Sequence, residues 1–326
     1  MKVVLAGGTG QLGTILARAF TSDGHEVVVL GRQPDRAPWR TMRWDARTVG
    51  EWAAEVDGAD VVLGLAGRNV NCRYTEANRR AIMDSRVESA RAVGLAIARA
   101  ARPPRVWLQM STATIYAHRF DAPNDEATGI IGGAEPDVPA SWKFSIDVAR
   151  AWEQAATASN GPHTRLVLMR AAMVMSPDRG GIFDTLLGLV RRGLGGSAAG
   201  GRQWVSWIHD EDFVRVVRWL VAHEEVAGAV NVAAPNPLPY SEFMRAIREA
   251  AGVPIGLPAT RWMLEIGAVA MRTETELVLK SRRVVPGRLL EAGFDFAHPT
   301  WGEAARDLVR RRRSGSASAA PAAAHA

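Results

Sequence analysis

The chain carries a single cysteine, Cys72, so it can form no internal disulfide, and a reducing cytoplasm is the expected setting. It lacks any apolar run of membrane-spanning length, so no transmembrane helix and no membrane partner are expected. The seven histidines are scattered without metal-ligand spacing, and one cysteine cannot build a zinc site, so no metal is expected. Gly195 to Gly201 is glycine-rich but has no Gly-Lys-Ser/Thr, which excludes a phosphate loop of the nucleotide-triphosphatase kind. No internal repeat is visible. A strand-like segment starts at Lys2, which leaves no room for a signal or transit peptide.

Lysine is also scarce. Only Lys2, Lys143 and Lys280 occur, so arginine supplies nearly all the positive charge behind the net +6 and the pI near 10.2. Most arginines alternate with Asp and Glu. The one run, Arg310 to Arg313, reads as a solvated helix end before a disordered tail over 314–326, and no nucleic-acid partner is expected.

What the chain has in quantity is core: 47% of its 326 residues are apolar, enough for one α/β domain with an added lobe. Short apolar runs at Val3–Ala6, Val27–Leu30, Val61–Leu65, Val106–Met110, Leu166–Arg170 and Ala229–Val232 read as strands. Helical patterns lie between them at Gln11–Thr21, Thr75–Ala101, Phe144–Ser159, Glu211–His223 and Ser241–Ala251. In the first helix, Leu12, Ile15, Leu16, Ala19 and Phe20 share one face. Strand–helix alternation predicts a doubly wound parallel sheet covered on both sides. The strand rhythm fades after Pro235. The expected organisation is a dinucleotide-binding domain over 1–235, a lobe insertion near 175–205, and a second lobe over 236–313.

The strongest local signal is Ala6-Gly7-Gly8-Thr9-Gly10-Gln11-Leu12-Gly13, between a strand and a helix. It fits both Gly8-x-Gly10-x-x-Gly13 and Gly7-x-x-Gly10-x-x-Gly13. Such a loop supplies a tight turn, close backbone approach to a pyrophosphate, and close helix–strand packing. The helix N-terminus adds free N–H groups for phosphates. The second strand ends in Gly31-Arg32, where a site for NAD usually has an acid for the ribose 2′-hydroxyl. A guanidinium there suits a 2′-phosphate, so NADP(H) is the expected cofactor, with Asp35 as the alternative ligand for a plain ribose.

The chain resembles the extended short-chain dehydrogenases, and within them the epimerase-family proteins with an uncharacterised C-terminal domain. The carrying segments include Leu65-Ala66-Gly67, Asp84-Ser85-Arg86-Val87, Ser111 to Tyr116, Ala151-Trp152-Glu153, Ser206-Trp207-Ile208-His209, and Ser281 to Pro286. The resemblance runs from residue 2 to about 310 and implies a Rossmann fold with a smaller C-terminal substrate lobe. It adds Leu65, Ala66 and Gly67 to Gly7, Gly10, Gln11, Leu12, Gly13 and Arg32 as expected cofactor contacts.

The resemblance also implies a Ser/Thr–Tyr–Lys catalytic set, in which the lysine four residues after the tyrosine lowers the phenol's pKa. All three tyrosines fail this test. Asn78, Phe120 and Met244 follow Tyr74, Tyr116 and Tyr240 at that spacing. Counting back from Glu153, the tyrosine slot holds Ser145 and the lysine slot Ala149. Thr112 matches the Ser/Thr slot at a strand end. Tyr116, just beyond, is the candidate substitute acid and a substrate-wall residue. His209 is a further candidate at the substrate, and Glu126, Asp147 and Lys143 are the remaining titratable candidates.

Two functions follow. The first is an NADP(H)-dependent oxidoreductase or epimerase with an altered acid/base group, acting on a small molecule; the resemblance implies sugar nucleotides. The second is a non-catalytic NADP(H)-binding or redox-sensing regulator, in line with the cell-division-inhibitor label that some relatives carry.

Overall fold

Lys2–Ala6 forms β1, an almost wholly buried strand at the middle of a seven-stranded sheet. The computed structural model describes residues 1–33, 37–136, 138–270 and 274–318. The chain runs on through α1 (Gln11–Ser22), β2 (Glu26–Gly31), β3 (Arg40–Arg43), β4 (Val61–Gly64), α2 (Glu76–Arg99), β5 (Val106–Thr112), α3 (Ala140–Ser159) and β6 (Arg165–Ala171). Then come β7 (Met173–Met175), α4 (Ile182–Arg191), β8 (Trp204–Val205), β9 (Trp207–His209), α5 (Asp210–Ala222), β10 (Gly228–Val232), β11 (Leu238–Pro239) and α6 (Tyr240–Ala251). Four helices close the chain: α7 (Arg261–Ala270), α8 (Glu276–Leu279), α9 (Gly287–Glu291) and α10 (Trp301–Ser318).

The large sheet has the order β3-β2-β1-β4-β5-β6-β10, parallel throughout. Val3, Val4, Leu5, Val61, Val62 and Leu63 are fully buried, as strands covered on both faces must be. This is the doubly wound Rossmann architecture expected above. The chain reverses direction across the sheet between β1 and β4, so a crevice opens beyond the carboxyl ends of those strands, where ligands bind in such sheets.

A second core joins Phe183, Leu187 and Val190 of α4 with Trp207, Phe243 of α6, and Trp301 and Leu308 of α10. The Trp301 ring stacks on Phe243 at 4.2 Å, and its Nε1 donates to the Phe243 carbonyl at 2.9 Å. The segment near 175–205 therefore packs with the residues after 234 rather than with the large sheet.

The arginine run is not a solvated helix end. Arg311 pairs with Asp210 at 2.9 Å and Arg312 with Asp184 at 2.6 Å, so α10 is pinned to α5 and α4. The helix continues to Ser318, past the point where the tail was expected to begin, and 319–326 lie outside the described residues.

Candidate functional site

The glycine loop has the shape its sequence implies. Gly7 sits at φ +85°, in the left-handed region, and a Cβ on it would lie 2.6 Å from the Ala66 backbone. A Cβ on Gly13 would lie 2.3 Å from the Gly8 backbone, so α1 can close on the loop only without a side chain there. Gly10 differs: it caps α1 with no side-chain hydrogen bond, and a Cβ on it would meet nothing within 4 Å. An uncapped helix start under open space is a fitting cradle for a phosphate. Gln11 opens the helix there, while Leu12 packs against the main core.

Beside the loop, a Cβ on Gly31 would meet the Thr9 side chain at 2.3 Å, so the end of β2 abuts the loop and carries the exposed Arg32 to its edge. Asp35 lies outside the described residues. On the other side, the Leu65 amide donates to the Ala6 carbonyl at 2.8 Å, which sets Leu65, Ala66 and Gly67 along the same crevice. The nine expected cofactor contacts thus fall on the loop, on its two flanks, or on the first turn of α1. The residues present fit a dinucleotide.

At the carboxyl end of β5, Thr112 accepts a hydrogen bond from the Thr114 amide at 3.1 Å, capping a short 3-10 turn over Ala113–Ile115. Among the described residues its own O–H has no acceptor, which leaves it to a ligand. Thr112 lines a cavity of about 110 Å³ together with Tyr74 and Arg86, Ser145 and Trp152 of α3, and Glu276 and Arg282 of the C-terminal lobe. Gly67 lies beside this cavity, since a Cβ on it would lie 3.2 Å from the guanidinium carbon of Arg86, which lines it.

Inside the cavity the hydroxyl of Tyr74 lies 3.4 Å from Ser145 Oγ, and Ser145 Oγ lies 2.5 Å from Glu276 Oε2. Burial raises the Tyr74 phenol above its usual value. Burial also raises Glu276, against the opposing pull of Arg282 and the Ser145 hydrogen bond. Both groups are therefore held toward their protonated forms. Behind them Lys280 is almost wholly buried, donates to the Thr114 carbonyl at 2.8 Å, and is pushed down to about 8 by burial.

Several expected site residues stand elsewhere. Tyr116 is not placed as an acid or a substrate wall. It is 2% exposed, donates to Asn231 Oδ1 at 2.9 Å, accepts from Arg170 at 3.0 Å, and does not line the cavity. Its ring packs in a small cluster with Ala149, the residue in the lysine slot. His209 is not a substrate contact either. It is fully buried at the start of α5, accepts from the Glu211 amide at 3.2 Å, and stacks on His298 at 3.7 Å. Glu126 accepts from the Asn231 amide at 2.7 Å, and Asp147 and Lys143 face solvent. None of these lines the Thr112 cavity.

The fold does assemble one group that local spacing hides: ligand atoms of His209, Glu211, His298 and Asp307 lie within 4.8 Å of one another. Its cation is already in place. Arg311 reaches Glu211 at 3.2 Å and Asp307 at 3.3 Å.

Ser145, the residue in the tyrosine slot, faces the cavity. Tyr74, Glu276 and Arg282 were missed as site residues. Their partners come from other elements 71 to 168 residues away, which no motif search at fixed spacing can find.

Comparison with known proteins places the chain in a family. The pattern of the NAD dependent epimerase/dehydratase family matches residues 3–233, and a domain of unknown function (DUF1731) matches 259–308. The epimerase family protein SDR39U1 of Bos taurus is 31% identical over 95% of this chain and 100% of its own length. The epimerase family protein YfhF of Bacillus subtilis is 29% identical over 96% of this chain and 100% of its own. The crystal structure of human SDR39U1 with NADPH superposes with a TM-score of 0.83 at 29% identity, covering 95% of this chain and 99% of that one. At 16% identity and a TM-score of 0.73, the UDP-N-acetylglucosamine 4-epimerase of Bacillus cereus shares the fold over 96% of this chain and 99% of that one. The chain belongs to the NAD dependent epimerase/dehydratase family.

Proposed function

We propose that this protein is an NADP(H)-dependent oxidoreductase that reduces a small carbonyl compound in the cavity at the end of β5. The support for the cofactor is the open cradle at Gly10, the guanidinium of Arg32 beside it, and the NADPH in the human relative's structure. Arg32 accounts for a preference for the 2′-phosphate, with the loop N–H groups on the pyrophosphate.

One arrangement carries the catalytic part: Thr112, Tyr74, Ser145 and Glu276 converge on a single cavity, and Gly67, one of the expected cofactor contacts, lies against the Arg86 that lines it. The cofactor, when bound, supplies a hydride. Thr112 donates its O–H to the substrate carbonyl and holds that oxygen in place. Tyr74 gives the carbonyl oxygen its proton, so carbonyl, hydride and proton together make an alcohol. Ser145 and then Glu276, whose burial keeps a proton on it, refill the phenol. This relay stands in for the Tyr-x-x-x-Lys pair, with the proton store contributed by the C-terminal lobe instead of α3.

The volume bears on the substrate. A cavity of about 110 Å³ fits a compound of a few carbon atoms better than a whole sugar nucleotide. The test is NADPH consumption against a panel of small aldehydes, ketones and enones. Turnover with at least one of them is expected, with NADPH preferred over NADH. Tight NADPH binding without consumption across the panel would instead favour a regulatory cofactor-binding role.

A further inference from the structure

Arg86 is a partly buried arginine that lines the cavity; like Arg165, which bonds to the carbonyls of Leu220 and Val226, it meets backbone rather than a carboxylate. Arg170, Arg311 and Arg312 each meet a carboxylate within 3 Å. Arg86 lines the cavity, yet among the described residues its hydrogen bonds go to the backbone carbonyls of Arg68 at 3.1 Å and Ile82 at 3.2 Å, with its guanidinium 5.1 Å from the Trp152 ring centroid. Among the described residues no acid lies within ion-pair distance of it. Burial brings it down to about 10, which registers the lack of a countercharge.

The rest of the wall does not compensate. Arg282 also lines the cavity, and the one carboxylate there, Glu276, lies 3.8 Å from Arg282 and 3.9 Å from Lys280. Arg282 and a buried ammonium therefore face the same acid, which burial holds toward its neutral form, and that acid is not within ion-pair distance of Arg86. The remaining polar groups, Thr112, Thr114, Tyr74 and Ser145, can all donate hydrogen bonds. A confined space with this charge and this donor set is built for an anion, because a buried cation is otherwise costly.

We propose that the cavity binds a small carboxylate, held through Arg86, so that the substrate is a short oxo acid whose carbonyl points to Thr112 and Tyr74. The inference rests on the hydride-transfer reading for the carbonyl end alone; the anion site stands on Arg86 and the cavity. A guanidinium can hold a carboxylate by two parallel hydrogen bonds, which also fixes its orientation and the direction of the carbonyl.

The test is a calorimetric titration of pyruvate and its uncharged methyl ester into the full chain, once free and once loaded with NADP+. The acid is expected to bind about ten- to a hundred-fold more tightly than the ester. Arg86→Gln should erase that ratio, Arg86→Lys should keep part of it, and NADP+ affinity should stay within about threefold in both. Should Arg86→Gln not fold, the Arg86→Lys ratio carries the comparison. Equal binding of acid and ester, or binding of neither by a chain that holds NADP+, overturns the proposal. So does an Arg86→Gln variant that loses NADP+ affinity, which would make Arg86 a cofactor ligand. Inorganic phosphate competing as well as pyruvate overturns the carboxylate assignment. If NADP+ fails to bind while acid still outbinds ester, the anion site stands and the cofactor reading falls.

Discussion

Exchanging each of two tyrosines for phenylalanine separates structure from chemistry in this fold. Tyr116 is buried, and its hydroxyl sits between Asn231 Oδ1 at 2.9 Å and an Arg170 donor at 3.0 Å. Tyr116→Phe leaves both partners buried and unpaired there. Arg170 keeps its paired contacts to Glu153 at 2.8 Å, and Asn231 still donates to the Val285 carbonyl at 2.9 Å, so the damage is confined to one node. The cost is about 1–3 kcal/mol. An unfolding entropy of ~2.1 cal/mol/K per residue over 326 residues gives ~0.7 kcal/mol/K, so Tm should fall by roughly 1.5–4.5 °C. Turnover of an NADPH-consuming substrate should change by less than about twofold. Tyr74→Phe should do the reverse. Among the described residues its hydroxyl has one polar contact, 3.4 Å to Ser145, which is too long for a strong bond. Tm should hold within about 1 °C, while kcat falls about a hundredfold or more as the proton donor is lost. Calorimetric melting and steady-state kinetics on the two variants decide it. A Tyr116→Phe enzyme that is stable but inactive, beside an active Tyr74→Phe enzyme, would refute the placement of the acid.

Other consequences follow from the same geometry. Arg32→Ala should remove most of the preference for NADPH over NADH, about ten- to a hundred-fold by calorimetry, and equal affinities in the unmodified protein would refute the role of Arg32. Thr112→Val keeps the shape and removes both the donor and the cap on the Thr114 amide, so kcat should drop about a hundredfold while NADPH affinity is unchanged, and Thr112→Ser, which keeps both, should stay active; an active Thr112→Val variant would exclude Thr112 from the reaction. Burial lowers the pKa of both His209 and His118 from 6.5 in the folded chain. The unfolded chain therefore takes up protons first as pH falls, so stability is complete above about pH 6.5 and declines below it. Melting curves at pH 7.5 and 5.5 should show the decline, and a His209→Gln variant should show less of it; a flat profile would count against neutral buried histidines.

Much of the fold was legible because its strands are buried on both faces. Val3–Ala6 and Val61–Leu65 read as apolar runs, and the glycine loop marked the first strand-to-helix turn. β3 escaped notice because Arg40–Arg43 is partly exposed along its length and carries no apolar run. β7, β8, β9 and β11 are two or three residues long, too short for any period to show. The expected cofactor contacts were legible because the glycine loop and its flanks are local in sequence. The proposed catalytic group was not. Tyr74, Ser145 and Glu276 come from three separate parts of the chain, and only packing of the C-terminal lobe against α3 brings them together. Tyr116 misled because it follows Thr112 closely in sequence, yet the short turn after β5 buries it toward Arg170 and Asn231.

The most direct test of the central claim is isotopic. The protein is mixed with NADPH deuterated at the nicotinamide C4 position and with the carbonyl panel, and the products are examined by mass spectrometry. Hydride transfer in the β5 cavity predicts an alcohol carrying one deuterium on the former carbonyl carbon, formed by the unmodified chain and nearly absent with Tyr74→Phe. NADPH that binds tightly but leaves no deuterium in any product would contradict it.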